Sequence, residues 1–427
     1  MTRAEKVIWL FFAAASIQLA FLQPYLTLVP GERTNLFSGL LCFLSLAVAL
    51  IFAGRGLIKL KSPEFLVSVA LAVIGVVNSL ASLTPLASSY RVAVLLASAL
   101  GGFWGARILL NSAENQRRFQ WLCLFLLGGV LLVSLAGYLA ARQIHYYFFQ
   151  GSNHPLTDLI FLLSFAPLAL LGRKSRPLVV LGAVLLALSY GVLCLSERLS
   201  VVLIPIGLGL VGVLFGALRW KQVLLAFLVI GIIIGVSFHQ ILWFKLSKAY
   251  PAYRVENFFF SLSIAKRHPL LGIGLRTPRD QFLKDYQLKY PYNSKEQFSQ
   301  DVTNIVTPDN QILTLLTGLG VPFTLIYGLA LLTLLVKLIR MSFRPPPGFF
   351  FPPLALLFPL GLALVHWQLY DGLLFAQNSW FFHILLGLIP VGTAAPALLE
   401  APVAVADLSY SAIAPNPEGS GTGRGRS

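Results

Sequence analysis

The segment NQILTLLTGLGVPFTLIYGLALLTLLVK, residues 310–337, indicates the class of fold. Its single charged residue is Lys337, at the far end of the run. A helix rises about 1.5 Å per residue, so a run of this length can cross the roughly 30 Å hydrocarbon core of a bilayer. Similar apolar runs recur along the chain, and we therefore predict a polytopic membrane protein.

The composition of the whole chain agrees with this prediction. Of the 427 residues, 57% are hydrophobic and 11% are charged. Helices are the open-ended elements that satisfy their own backbone hydrogen bonds in lipid, so the predicted fold class is all-α. The apolar runs predict about twelve transmembrane helices, at residues 7–29, 34–53, 64–87, 92–110, 120–140, 157–172, 177–195, 199–218, 223–242, 310–337, 348–370 and 373–394.

Basic residues predict the orientation of these helices, because short loops rich in Lys and Arg stay in the cytoplasm. Alternate connections carry such residues: Arg3 and Lys6; Arg55, Lys59 and Lys61; Arg117 and Arg118; Arg173, Lys174 and Arg176; Arg219 and Lys221; Lys337, Arg340 and Arg344. Both termini are therefore predicted to be cytoplasmic. The predicted organisation is nine helices in 1–242, an extracytoplasmic loop in 243–309, three helices in 310–394 and a disordered cytoplasmic tail in 395–427.

The formal charge of +16 is explained mainly by this topology, so we expect no nucleic-acid partner. The outer loop keeps ten basic residues against six acidic ones. That surplus favours an anionic substrate.

The outer loop is predicted to contain two short helices that form a lid over the membrane face. The first is expected at 252–267, and Pro269, Gly272 and Gly274 form the turn that ends it. The second is expected to begin at the sequence TPRD, residues 277–280, in which Pro278 occupies the first helical position.

Asp309 stands at the mouth of the apolar run and has two interpretations. Thr307, Pro308 and Asp309 repeat the helix-start signal of cap, proline and acid, so Asp309 could simply stabilise the positive end of the helix dipole. The alternative is a functional carboxylate, which requires cationic partners.

Two arginines are the candidate partners. Arg198 lies between two apolar runs, where a cation is costly unless it meets an anion or water; the alternative is an interfacial arginine that snorkels or pairs with Glu197. Arg254 opens the first loop helix, and its alternative is a solvated charge or a salt bridge to Glu256.

The chain has three histidines that are alternative candidates for a general base. His268 neighbours the loop turn, whereas His366 and His383 lie in or near the last two predicted helices. A histidine in a membrane helix is a candidate functional residue, although pairing with a neighbouring helix is the commoner role.

Taken in order, the arginine at 198, the stretch YRVENFFFSLSIAKRHPLLGIG at 253–274 and the stretch DNQILTLLTGLGVP at 309–322 resemble the O-antigen ligase and O-antigen polymerase family. The family pattern is an arginine that leads a loop helix, a proline followed by Gly-x-Gly, and a His-Asn pair that opens a membrane helix with a Gly-x-x-Gly-like turn. The resemblance covers about 190–340. It departs from the family at Asp309, which stands where the family has histidine.

The resemblance implies a metal-independent, cofactor-free membrane glycosyltransferase in the bacterial inner membrane, with the large loop in the periplasm. Its partners would be membrane lipids, a polyprenyl-diphosphate-linked glycan donor, and an acceptor that is either lipid A core or another glycan. The implied catalytic residues are Asp309, Arg198 and Arg254. The implied substrate-binding residues are Asn310, Arg276, His268, Gly272 and Gly274, although a tight turn alone also explains the two glycines.

Two other functions remain open at the level of sequence. Many membrane helices and a basic cavity would also suit a transporter or flippase of lipid-linked sugars, but we find no repeat relating the two halves of the chain. The other is a non-catalytic relative that keeps the donor site and lost the base with the histidine. Ligase and polymerase are not distinguished, because both use the same donor.

Overall fold

The computed structural model describes residues 3–21, 62–141, 154–196, 250–275, 310–344, 349–368 and 372–390, together with residues 42, 44 and 47. For residues 250–257 it describes the backbone alone. The regular structure in these ranges is entirely helical, which confirms the predicted all-α class for the described part of the chain.

The described helices follow one another in this order: α1 Arg3–Phe21, α2 Pro63–Leu80, α3 Pro85–Leu109, α4 Ala113–Ala141, α5 His154–Leu163, α6 Phe165–Leu171, α7 Arg176–Ser196, α8 Tyr250–Arg267, α9 Gln311–Phe343, α10 Pro353–His366 and α11 Ala376–Gly387. A short 3₁₀ turn at Gly372–Leu374 precedes α11. Among them α2, α3, α4, α7 and α9 are long and apolar enough to cross a membrane.

Exposed apolar side chains on the outer faces agree with a membrane protein. Leu66 on α2, Phe125 on α4 and Leu329 on α9 are each more than half exposed. A bilayer would cover such surfaces. The predicted number of about twelve membrane helices includes segments outside the described residues and stays a prediction.

Two predicted helix boundaries are wrong for local chemical reasons. The helix predicted at 64–87 ends at Leu80, because Pro85 starts a new helix at a position where its missing N–H costs nothing. The segment predicted as one helix at 157–172 is two helices that meet at Ser164. Pro167 has no N–H and its ring crowds the carbonyl four residues earlier, which favours a break at this point.

The core of the described helices forms around α11, which packs against α1, α3 and α5. Trp380 of α11 is fully buried and donates its indole N–H to the hydroxyl of Ser16 in α1, at 3.0 Å. The ring of Phe12 lies 5.3 Å from the same indole. The last helix of the described chain is therefore held centrally against the first.

Helix α9 is broken at Gly320, where φ is 80° and ψ is 176°. The predicted helix at 310–337 is thus two helical segments, and the second continues to Phe343. The break frees backbone carbonyls that would otherwise accept hydrogen bonds from residues four positions later. In a lipid environment each such group needs another partner.

The turn after α8 supplies those partners. The amide of Ile273 donates to the carbonyl of Thr317 at 2.8 Å, and the amide of Gly274 donates to the carbonyl of Gly318 at 3.0 Å. In return, the amide of Val321 donates to the carbonyl of Pro269 at 2.7 Å. Residues 269–275, which we name the pinning loop, therefore replace the hydrogen bonds that the break removes.

Carbonyls near the break accept hydrogen bonds from donors other than the backbone amides of the helix itself. Pro322 has no N–H, so the carbonyl of Gly318 could never have been satisfied within the helix. Asn78 of α2 donates its side-chain amide to the carbonyl of Leu319. The hydroxyl of Thr324 donates to the carbonyl of Gly320 at 2.8 Å.

The pinning loop also contacts the turn between α2 and α3. The amide of Leu83 donates to the carbonyl of Ile273 at 3.2 Å, and the amide of Leu275 donates to the hydroxyl of Ser88 at 3.2 Å. These contacts place the α2–α3 turn and the pinning loop on the same side of the helix bundle, as the predicted topology requires. Which side faces the periplasm stays a prediction.

The break generates a test of the pinning loop. Alanine at position 320 would be strained at φ 80°, and its Cβ would collide with the carbonyl of Leu270. Local backbone strain typically costs about 1–3 kcal/mol. We expect Gly320→Ala to destabilise the protein by at least that amount, because the collision adds to the strain. The measurement is the temperature at which the detergent-solubilised protein loses its monodisperse peak.

Gly328→Ala is the matched control, because Gly328 lies on the same helix and a Cβ there would meet nothing within 4 Å. It should leave that temperature unchanged or raise it slightly, since alanine favours a helix by about 0.5–1 kcal/mol over glycine. Equal behaviour of the two variants would contradict the pinned break.

Candidate functional site

The start of α9 is capped by its own asparagine. Asn310 has extended backbone angles, and its side-chain oxygen accepts a hydrogen bond from the amide of Leu313 at 3.1 Å. Its side-chain nitrogen donates to the carbonyl of Gln368 at 2.9 Å. Both functional groups of the Asn310 side chain are therefore used to fix the helix end.

Gln311 ties the same helix end to the segment after α10. Its amide donates to the carbonyl of Trp367 at 2.8 Å, and its buried side-chain oxygen accepts from the amide of Leu373 at 2.8 Å. The 3₁₀ turn at Gly372 lies directly against the indole of Trp367, with no room for a Cβ. The first residues of α9 therefore rest on a backbone surface built from the end of α10 and the start of α11.

A buried carboxylate, Asp158, is hydrogen-bonded to both segments that form this backbone surface. Asp158 of α5 is fully buried, and its two oxygens accept hydrogen bonds from three side chains in the described part of the chain. The donors are His366 Nδ1 at 2.6 Å, Trp367 Nε1 at 2.8 Å and Asn378 Nδ2 at 2.9 Å. An ionised carboxylate can only accept, so His366 donates from Nδ1 in this arrangement.

The other histidines considered as bases have different surroundings. His383 is buried in α11, with Nδ1 2.6 Å from the carbonyl of Ser379 and Nε2 3.2 Å from the hydroxyl of Tyr327. Both of its ring nitrogens therefore have partners within the protein. His268 lies between the end of α8 and the pinning loop, and burial together with the adjacent charge of Arg267 lowers its pKa.

The structure accounts for Gly272 and Gly274 by backbone packing. Their φ angles are 66° and 97°, in the region that favours glycine. A Cβ at Gly272 would lie 2.6 Å from the carbonyl oxygen of Thr317, and one at Gly274 would lie 2.5 Å from the Cβ of Ser82. This is the turn that the sequence suggested, and a role of either glycine in substrate binding stays a prediction.

The remaining predicted site residues divide into two groups. Arg254 lies in α8, which packs against α9 and leads into the pinning loop, although its side chain is not described. Asp309, Arg198 and Arg276 lie outside the described residues, each next to or within two residues of a described segment. The structure thus joins the elements that carry Arg254, His268 and Asn310.

Asp158 was missed by the sequence analysis, although a signal was present. It is the second residue of the segment predicted as a membrane helix at 157–172. An ionisable residue within a membrane helix is a candidate functional residue, with a partner to be sought on another helix. Its partners, His366 and Asn378, lie more than 200 positions away and could not be assigned from one sequence.

Five of the described helices are long and apolar enough to cross a membrane, which is consistent with a polytopic membrane protein, and one of them, α9, is broken and held by the pinning loop. Comparison with known families shows that the O-antigen ligase family model matches residues 182–328. This match confirms the predicted family resemblance over a segment that contains α8, the pinning loop and the break in α9. It supports a membrane glycosyltransferase-like function. No curated protein matches the chain.

Proposed function

We propose that the protein is a metal-independent glycosyltransferase of the bacterial inner membrane. It transfers a glycan from a polyprenyl-diphosphate carrier to a sugar hydroxyl on the outer face of that membrane. The observation that carries this proposal is the match of residues 182–328 to the O-antigen ligase family, because that segment holds Arg198 and Arg254 and ends within α9. The acceptor is lipid A core for a ligase, or another glycan for a polymerase.

The reaction requires a leaving-group stabiliser and a base. The acceptor oxygen bonds to the anomeric carbon of the donor sugar, and the bond from that carbon to the phosphate oxygen breaks. The polyprenyl diphosphate leaves with the bonding electrons, and the hydroxyl proton passes to the carboxylate of Asp309. Arg198 and Arg254 stabilise the charge on the diphosphate, because a guanidinium matches phosphate oxygens with two parallel hydrogen bonds.

The hydrogen bonds around α9 support this assignment of roles. Asp309 directly precedes Asn310 in the chain, and both polar groups of the Asn310 side chain are hydrogen-bonded. Arg254 belongs to the helix that continues into the pinning loop, and that loop is bonded to α9 at Thr317 and Gly318. A base and a diphosphate-binding residue carried by mutually bonded elements suit a reaction that depends on orientation.

Gln311 offers a further polar group beside the proposed base. Its side-chain nitrogen is buried and donates no hydrogen bond within the described part of the chain. Burying an unsatisfied donor costs about 1–3 kcal/mol, so a partner beyond the described residues is favoured. A hydroxyl of the glycan would satisfy this donor.

Reconstitution in liposomes tests the function against its alternatives. The purified protein is mixed with a polyprenyl-diphosphate-linked glycan and a lipid A core or glycan acceptor, in the presence of EDTA. We expect transfer of the glycan to the acceptor, measured by mass spectrometry. Movement of the donor across the bilayer without transfer would favour a flippase, and binding without either would favour a non-catalytic relative.

Asp309→Asn separates the two interpretations of the acid. If Asp309 only stabilises the helix start, its replacement removes a dipole interaction worth about 0.3–1 kcal/mol of stability. As a general base, its replacement by an amide should lower the transfer rate by about a hundredfold to ten-thousandfold, while the protein remains folded. Asp309→His, which restores the residue usual in the family, should recover part of the rate.

Asp280→Asn is the matched control for this variant. Asp280 is the first-turn acid of the preceding Thr-Pro helix-start signal, one position further from its proline than Asp309 is, and it has no proposed role in the reaction. It should therefore transfer glycan at the wild-type rate. Wild-type turnover by Asp309→Asn would show that Asp309 is not the base, and His268 would be the next residue to test.

A further inference from the structure

The carboxylate of Asp158 connects three helices at the point where α9 begins. It is carried by α5 and receives hydrogen bonds from the end of α10, through His366 and Trp367, and from the first turn of α11, through Asn378. All four side chains are buried. We name these four residues the Asp158 cluster.

Two continuous sets of hydrogen bonds lead from this cluster to α9. Asp158 holds the indole of Trp367, and the carbonyl of Trp367 accepts from the amide of Gln311 at 2.8 Å. The next residue, Gln368, accepts from the side chain of Asn310 at 2.9 Å. Asp309 directly precedes Asn310 in the chain. A shift of Trp367 would therefore be passed toward Asp309 through the hydrogen bonds that Gln311 and Asn310 make.

Stability alone is a weak explanation for such a cluster. Burying a carboxylate is costly, and replacing a buried ion pair by apolar residues of similar volume is often neutral or stabilising. In the interior of a membrane protein the cost is greater, because no water relaxes around the charge. What the carboxylate does provide is a unique arrangement of its three donors, which come from two different helices.

We propose that Asp158 is a positioning residue for the transferase site and that it acts through Trp367 on Asn310 and Asp309. This proposal rests on the proposed function and extends it to a residue outside the matched family segment. Asp158 itself has no contact with substrate in this scheme. It sets the position of the α9 start relative to the diphosphate and the acceptor, and a displacement of about 1 Å in such a position costs about a hundredfold in rate.

Asp158→Asn is the first test, because asparagine keeps the size of the side chain and removes the charge and one acceptor. We expect kcat of the reconstituted enzyme to fall by about tenfold to a hundredfold. The KM for the lipid-linked donor should stay close to the wild-type value, since Asp158 is proposed to place the reacting groups and not to bind the donor.

Trp367→Phe provides a second variant with a close control. It keeps an aromatic ring and removes the donor to Asp158, so kcat should fall about tenfold, in the same direction as Asp158→Asn. Trp380→Phe removes the corresponding indole hydrogen bond to Ser16, from a tryptophan that is equally buried. Because Trp380 is not bonded to the start of α9, its variant should keep the wild-type kcat.

Hydrogen exchange followed by mass spectrometry gives a readout independent of activity. In Asp158→Asn and Trp367→Phe, peptides that cover 310–315 and 372–376 should exchange faster, because the amides of Gln311 and Leu373 lose fixed acceptors. Peptides that cover the pinning loop should exchange at the wild-type rate. Faster exchange throughout all helices would indicate general loss of stability and would overturn the proposal.

The double variant of Asp158→Asn and Asp309→Asn tests whether the effects of the two residues on kcat are coupled. If Asp158 acts by placing Asp309, then Asp158→Asn should lower kcat much less in the Asp309→Asn background than in the wild type. Full additivity of the two losses would overturn the proposal, as would wild-type kcat and exchange in Asp158→Asn. If Asp309→Asn is itself fully active while exchange at 310–315 responds to Asp158→Asn, the base is wrongly assigned and the placement of α9 by Asp158 stands.

Discussion

The hydrogen bonds between the pinning loop and the break in α9 are the constraint on which the rest of the site depends. A helix interrupted inside an apolar bundle exposes carbonyls that lipid cannot satisfy. Ile273 and Gly274 supply the missing donors through their backbone amides, and Val321 returns one donor to Pro269. The exchange requires two backbones to approach closely, which is why glycine occurs on both sides of the contact, Gly272 against the backbone of Thr317 and Gly318, and Gly320 against the backbone of Leu270.

Helix α9 is held at two positions, at its break and at its start. The pinning loop holds the break at Gly320. Trp367 of the Asp158 cluster and its neighbour Gln368 hold Gln311 and Asn310, about two and a half to three helical turns earlier. The segment 311–319 is therefore clamped at both ends, and the residues before it leave from a defined backbone position. For group transfer between two large substrates, a fixed platform removes much of the entropic barrier of bringing the reacting atoms together.

The sequence predicts part of this arrangement for clear reasons. Length and hydropathy determine the all-α class, and Pro269, Gly272 and Gly274 correctly indicate the turn after α8. Hydropathy predicts one helix at 310–337, because most residues that flank Gly320 are apolar, although the family resemblance implies a Gly-x-x-Gly-like turn in this helix. Pro322 was a signal, since it leaves one carbonyl without an internal donor.

The Asp158 cluster could not be predicted for a different reason. Periodicity and start signals describe neighbours along the chain, whereas the partners of Asp158 come from helices that are distant in sequence. Composition marks a buried carboxylate as unusual but does not identify its donors. The positions of Asp309, Arg198 and Arg276 remain predictions from the family pattern, since they lie outside the described residues.

The most direct measurement is an experimental structure of the protein with a polyprenyl-diphosphate-linked glycan bound, determined by electron cryomicroscopy in a lipid nanodisc. Our proposal predicts that guanidinium nitrogens of Arg254 and Arg198 lie about 2.7–2.9 Å from the diphosphate oxygens. It also predicts that the carboxylate of Asp309 faces the anomeric carbon, with Asn310 still bonded to Gln368. A diphosphate bound away from both arginines, or an Asp309 turned away from the sugar, would contradict the proposed mechanism.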